Sequence, residues 1–151
     1  MGNICRSPTA EGVLRRKLAD AGLADRVEVD SAGTHDYHVG APPDHRSQRH
    51  AAERGYDLSA LRARHLQPQD FQRFDLLLVM DENNLAHIEA DCPAPYRDRV
   101  RLLMDFAPHA GSAVVPDPYY GGPADFERVL DLVEQACDGL VSHLRERLEL
   151  R

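Results

Sequence analysis

Long apolar runs are absent: nothing in the 151 residues approaches the about 20 consecutive apolar positions that a membrane-crossing helix needs. An excess of positive charge is absent too. Lys and Arg number 18 against 25 Asp and Glu, a net charge of −7, which argues against a nucleic-acid partner. Cysteine is scarce and odd in number, and Cys5, Cys92 and Cys137 are too scattered to read as a disulfide framework. The eight histidines show no metal-ligand spacing. Repeats, linkers, low-complexity tracts and a signal-peptide pattern are also missing. With these classes set aside, the expectation is one domain in a reducing cytoplasm, long enough to bury roughly 70% of its unfolded surface.

What is present alternates between two periods. Ser7 as N-cap and Pro8 as first helical residue predict a helix whose stripe is Ala10, Val13, Leu14, Leu18 and Ala21, stopped by Gly22. Val27-Glu28-Val29 predicts a short strand, and the Gly- and Pro-bearing stretch from His35 to Asp44 predicts a loop. Asp44 caps a predicted helix through Arg54, closed by Gly55. The unbroken apolar run Leu76-Leu77-Leu78-Val79-Met80 has the form of a strand covered on both faces. A helix from about Glu82 to Ala90, a strand over Val100 to Leu103 and a final helix from near Ala124 complete the order. Alternating strands and helices predict an α/β fold built on a parallel sheet.

Two segments carry chemistry. In Gly2-Asn3-Ile4-Cys5-Arg6-Ser7-Pro8, successive backbone N–H groups can curl into a concave nest for phosphate oxygens, at the positive end of the following helix. Arg6 adds a planar fork for two of those oxygens, Gly2 permits the tight backbone, and Asn3 and Ser7 can hold the loop by side-chain hydrogen bonds. A thiol at the floor of such a nest is a thiolate at neutral pH and attacks phosphorus. The second segment, Asp117-Pro118-Tyr119-Tyr120-Gly121-Gly122, offers a carboxylic acid for a leaving oxygen and two flat tyrosine walls for an aromatic substrate.

Together the two segments resemble the low-molecular-weight protein tyrosine phosphatases, and further segments extend the resemblance in order along the chain. Val29-Asp30-Ser31-Ala32-Gly33-Thr34 is similar to the family's second strand and turn, Asp36-Tyr37-His38-Val39-Gly40 to its substrate-flanking loop, and Met80-Asp81-Glu82-Asn83-Asn84 to the end of its third strand. The resemblance implies a three-layer, four-stranded parallel sheet with helices on both faces, its central first strand missing here, and a single domain over residues 1–151 that is incomplete at its N-terminus. It implies hydrolysis of phosphotyrosine in proteins through a phosphocysteine. Arg6 then binds the phosphoryl group and Asp117 is general acid and base. Gly2, Asn3, Ile4, Cys5 and Ser7 cradle the phosphate, and Tyr37, Tyr119 and Tyr120 line the cleft. No metal or cofactor is implied. The implied partner is a phosphotyrosine-bearing protein, a tyrosine kinase among the candidates, with the enzyme a monomer or weak dimer.

The departures from the family pattern are specific. Cys-x5-Arg ending on Arg6 puts the nucleophile directly before Met1, so the chain is expected to be an N-terminally truncated member, inactive as it stands. Cys5 cannot replace that thiol, because Arg6 is its immediate neighbour. If Met1 is the true start, the alternative is a phosphotyrosine- or phosphate-binding remnant without turnover. A thioredoxin-coupled arsenate reductase fits less well, since its relay needs two further nearby cysteines. A phosphoarginine phosphatase is disfavoured by the apolar bulk of Ile4.

Overall fold

Helix α1 (Arg6–Asp20) ends as its sequence predicts, because Gly22 takes a left-handed backbone (φ +76°). The N–H of Leu23 then returns to the carbonyl of Leu18 at 2.8 Å and both side chains bury together, the Schellman arrangement that satisfies the last carbonyls of a helix. Residues 4–35 and 38–149 are described by the computed structural model. The expectations placed on Gly2, Asn3 and Tyr37 lie outside the described residues.

Helix α2 (His45–Glu53) is capped by Asp44, whose carboxylate accepts the N–H of Arg46 at 2.8 Å. A single turn, α3 (Asp70–Arg73), leads to strand β1 (Leu77–Val79). Helix α4 (Glu82–Asp91), strand β2 (Val100–Leu102) and the long α5 (Pro123–Glu149) follow, with short 3-10 turns at Ala94–Arg99 and Leu103–Phe106. Strands β1 and β2 pair in parallel with Leu77 opposite Val100 and Val79 opposite Leu102. The period of two along β1 divides the core. Leu76, Leu78 and Met80 join the apolar cluster built by α1, α2 and α5, whereas Leu77 and Val79 join Phe71, Ile88 and Val100 on the opposite face. Glycine is required at 139 in α5, since a Cβ there would strike the carbonyl of Phe106.

The sheet corrects the expected four strands. Among the described residues it has two, in the order β1-β2, supplemented by one isolated bridge between Gly33 and His65. Val27 and Val29 do pack their side chains on Leu18, Leu23 and Val141. Their backbone, however, forms no ladder, and the carbonyl of Val29 accepts instead from the side chain of Arg15 at 2.7 Å. The reason is spatial. Residues 27–31 and residues 76–80 both line one cavity of about 310 Å³, with Leu14, Leu140 and Leu144 also in its wall. Strand propensity becomes strand only where a hydrogen-bonded neighbour is in reach.

Candidate active site

The phosphate end of the molecule is built around the start of α1. The helix begins at Arg6 with Cys5 in the capping position, not at Pro8 behind a Ser7 cap as the sequence suggests. Pro8 is tolerated in the first turn because the N–H it lacks would have no partner within the helix. Thr9 secures the turn, its hydroxyl donating to the carbonyl of Cys5 at 2.7 Å. The first N–H groups of α1 lack acceptors within the helix, and the helix dipole makes this end attractive to an anion.

Arg6 is nearly sealed, 4% exposed, and its position is set from two distant parts of the chain. Its Nη1 donates to Asp81 Oδ2 at 2.6 Å and to the carbonyl of Val115 at 2.8 Å. Asp81 caps α4 directly after β1, accepting the N–H of Asn84 at 2.8 Å. Burial pushes the Asp81 carboxyl up, but the Arg6 guanidinium and the Asn84 N–H prevail and hold it below the usual carboxylate range. Val115 is fastened in turn, its own N–H donating to the carbonyl of Met80 at 2.7 Å. The end of β1, the start of α1 and the segment leading to Asp117 therefore share one junction.

Two residues beyond Val115, Asp117 is exposed and its Oδ1 accepts the N–H of Tyr119 at 3.1 Å. Pro118 is fully buried and roots the loop. The rings of Tyr119 and Tyr120 meet edge to face with centroids 4.9 Å apart, and Tyr120 projects from the surface, 95% exposed. Of the expected site residues, Ile4, Cys5, Arg6 and Ser7 thus lie at the start of α1, and Asp117, Tyr119 and Tyr120 lie on the loop that Val115 ties to it. Asp81, Asp44, Arg46 and Ser47 also belong to this end and were not singled out from sequence as site residues. Their signal was weak and local: an Asp after an apolar strand, and an Asp that caps a helix.

No thiol here is poised to act as a nucleophile. Cys5 is buried, and burial, followed by the nearby carboxylates of Asp44 and Asp117, raises its pKa to about 11 against the opposing pull of Ser47 and Arg46. Burial likewise raises Cys92, and it raises Cys137 to about 12. Residues far apart in sequence converge on the phosphate loop, since the N–H of Asp44 donates to the carbonyl of Ile4 at 2.7 Å and Arg6 donates to that of Val115. Elsewhere, His50, Glu53 and Glu127 bring ligand atoms within 4.8 Å of one another, a spacing that could hold a metal. Glu127 is already ion-paired with Arg54 at 2.7 Å, a fixed positive charge that opposes a cation there. Among the described residues, no helix is long and apolar enough to cross a membrane.

Comparison with known proteins gives this geometry its context. The family described as low molecular weight phosphotyrosine protein phosphatase matches residues 1–150. A Synechocystis protein bearing the family's name is 46% identical over 149 residues, covering 98% of this chain and 94% of its own. A low molecular weight protein-tyrosine-phosphatase of Streptomyces coelicolor is 44% identical over 154 residues, covering 99% and 93%. The crystal structure of a protein tyrosine phosphatase from Entamoeba histolytica, with Hepes in its active site, superposes with a TM-score of 0.94 at 38% identity, covering 97% of this chain and 93% of that one. Matches of this extent overturn the expectation of an N-terminally truncated member, since they take in every element from α1 to α5 and nearly all of each relative.

Proposed function

This chain belongs to the low-molecular-weight phosphotyrosine protein phosphatases, and on that premise we propose how its residues divide the work. Membership makes it an enzyme that hydrolyses phosphotyrosine in proteins through a phosphocysteine. In our reading Arg6 binds the transferring phosphoryl group. Its bonds to Asp81 and Val115 both use Nη1, so the other donors of the fork are the ones that would bind two phosphoryl oxygens. The helix end and the backbone of residues 2–7 supply the remaining donors. As a thiolate at the first position of Cys-x5-Arg forms its bond to phosphorus, the bond to the tyrosine oxygen breaks and Asp117 delivers a proton to that oxygen. The Asp117 carboxylate then takes a proton from water, which attacks phosphorus, releases orthophosphate and returns the thiolate. In the same reading Tyr119, Tyr120 and Tyr37 flank the substrate ring.

The observation that carries this reading is the bond from Arg6 to the carbonyl of Val115, which spans 109 positions and sets the acid loop beside the phosphate loop. The test is hydrolysis of aryl phosphates and a phosphotyrosyl peptide by a variant carrying a cysteine directly ahead of Met1, the first position of Cys-x5-Arg. Asp117→Asn is expected to lower kcat by about 10²- to 10⁴-fold on phenyl phosphate, whose leaving group needs a proton. The loss should be far smaller on 2,4-dinitrophenyl phosphate, whose leaving group does not. Equal losses on both would overturn the role of Asp117, and preference for a phosphoarginyl peptide would overturn the tyrosine walls. Finer features of the same reading are a cytoplasmic location, action as a monomer or weak dimer, and a phosphorylated tyrosine kinase among the substrates.

A further inference from the structure

Arg46 is not among the residues assigned above, yet it bridges the two loops that carry the chemistry. Its Nε and Nη2 reach both oxygens of Asp44 at 3.1 Å each, and the same Nη2 donates to the carbonyl of Tyr119 at 2.8 Å. On one side, Asp44 donates its backbone N–H to the carbonyl of Ile4 at 2.7 Å, in the phosphate loop. On the other, Tyr119 donates its N–H to Asp117 at 3.1 Å. The links form an unbroken chain from Ile4 through Asp44, Arg46 and Tyr119 to the carboxylate of Asp117. The guanidinium also lies over the ring of Phe126, 4.7 Å from its centroid, and 5.6 Å from that of Tyr119. Stacking of this kind holds the plane of the fork.

We propose that Arg46 is a positioning residue that fixes the Asp117 loop over the phosphate loop, so that the acid meets the leaving oxygen; this rests on the acid role given to Asp117 above. The chemistry demands such a tether. Asp117 is exposed and its carboxylate accepts from the backbone of its own loop, so its reach is set by where that loop sits. A displacement of about 1 Å in a proton donor can cost about 10²-fold in rate. Lysine cannot replace Arg46, because a point charge cannot hold two carboxylate oxygens and a carbonyl in one plane. The ring stacking and the paired hydrogen bonds to Asp44 also explain why the connection is made by α2, which is itself packed on α5.

Two measurements test the proposal together. In the full chain, amide hydrogen exchange of Tyr119 to Gly122 is expected to quicken by about tenfold or more in Arg46→Gln, with residues 129–141 of α5 unchanged. Unchanged exchange in the loop would overturn the tether, whatever the turnover. In the variant with a cysteine ahead of Met1, Arg46→Gln and Arg46→Lys are both expected to lower kcat on phenyl phosphate by about 10- to 100-fold. On 2,4-dinitrophenyl phosphate the loss should be under about threefold, with KM little changed because Arg6 still holds the phosphoryl group. Added to Asp117→Asn, neither Arg46 change should lower the phenyl phosphate rate further. Equal losses on both substrates, or additive losses with Asp117→Asn, would show a merely structural role and overturn the proposal. If Asp117→Asn alone shows no dependence on the leaving group, the acid assignment fails instead, and the exchange result still decides the tether.

Discussion

Asp81 and Glu11 are both carboxylates drawn out of water beside an arginine, and they end in opposite electrostatic regimes. Asp81, at the phosphate end, is held below the usual range because Arg6 and the N–H of Asn84 outweigh its desolvation. Glu11, on the flank of α1 that faces the cavity, is pushed above the usual range by burial, although the Ser31 hydroxyl at 2.6 Å and Arg15 at 2.7 Å pull the other way. The arginines make the difference. Arg6 is 4% exposed and acts through a low dielectric, whereas the side chain of Arg15 is 53% exposed and its charge is screened by water. One end of the molecule is thus organised to hold negative charge in place, as a phosphate site must be. The other is a flank with open space beside it, lined by apolar and charged side chains alike.

The largest expected effect breaks the first half of this contrast. Arg6→Ala leaves Asp81 and the Val115 carbonyl without their shared donor, and should cost about 3 kcal/mol of stability, the low end for broken buried pairs because Asp81 is partly exposed. Urea unfolding at pH 7 reads that loss, and equilibrium dialysis with orthophosphate should show binding abolished. Glu11→Ala should cost clearly less. Equal costs would mean that the two carboxylates are held alike, against the contrast. A smaller effect probes the flank. Leu130 and Leu140 are both almost fully buried on α5, but Leu140 borders the cavity while Leu130 lies in the filled core. Truncation of a buried leucine to alanine costs about 2–5 kcal/mol, and contacts that face a void are already forfeited. Leu130→Ala should therefore fall in the upper part of that range and Leu140→Ala near its floor. The reverse order in parallel denaturation curves would show that the cavity closes in solution.

How much of this was legible in sequence depends on how local the cause is. Gly22 and Gly55 stop helices by their own left-handed backbone, and Asp44 caps by reaching two residues ahead, so these ends read correctly. The apolar run at 76–80 does form a strand that packs apolar clusters on both faces, but Leu76, Leu77 and Leu78 border the cavity and are only half-buried. Val27-Glu28-Val29 read wrongly as a strand, because a ladder also depends on what lies at its edge, and the segment meets a cavity there. Ser7 was misjudged as the cap since Cys5, an unremarkable capping residue, takes that place with help from Thr9. In the site, Arg6 and Asp117 were found through motifs, but the bonds that join them run from Arg6 to Val115 and from Arg46 to Tyr119, 109 and 73 positions apart. No periodicity reports a contact of that kind.

The smallest effect expected is also the most direct comparison of the two regions, because it reads the sign of each carboxylate's contribution against pH. A depressed pKa means that the folded state binds protons more weakly than the unfolded one, which raises stability above the unfolded carboxylate value of about 3.9. The contribution of Asp81 is therefore full at neutrality and is lost as the pH falls through its lowered pKa. Glu11 has the opposite sign. Its folded form holds a proton more tightly, so its contribution is full below the unfolded glutamate value of about 4.3 and is lost as the pH rises through the raised pKa. Asp30 strengthens this trend, while Arg15, Arg64 and the Ser31 hydroxyl oppose it. Stability curves of Asp81→Asn and Glu11→Gln, each subtracted from that of the unaltered protein, isolate the two groups from the other shifted carboxylates. The Asp81 difference should change only in strong acid, where the unaltered protein loses its advantage. The Glu11 difference should change above the ordinary glutamate range, with the unaltered protein losing ground to Glu11→Gln as the pH climbs. If both differences instead fall toward acid, Glu11 is stabilised as a carboxylate, and the flank would be as well organised for negative charge as the phosphate end.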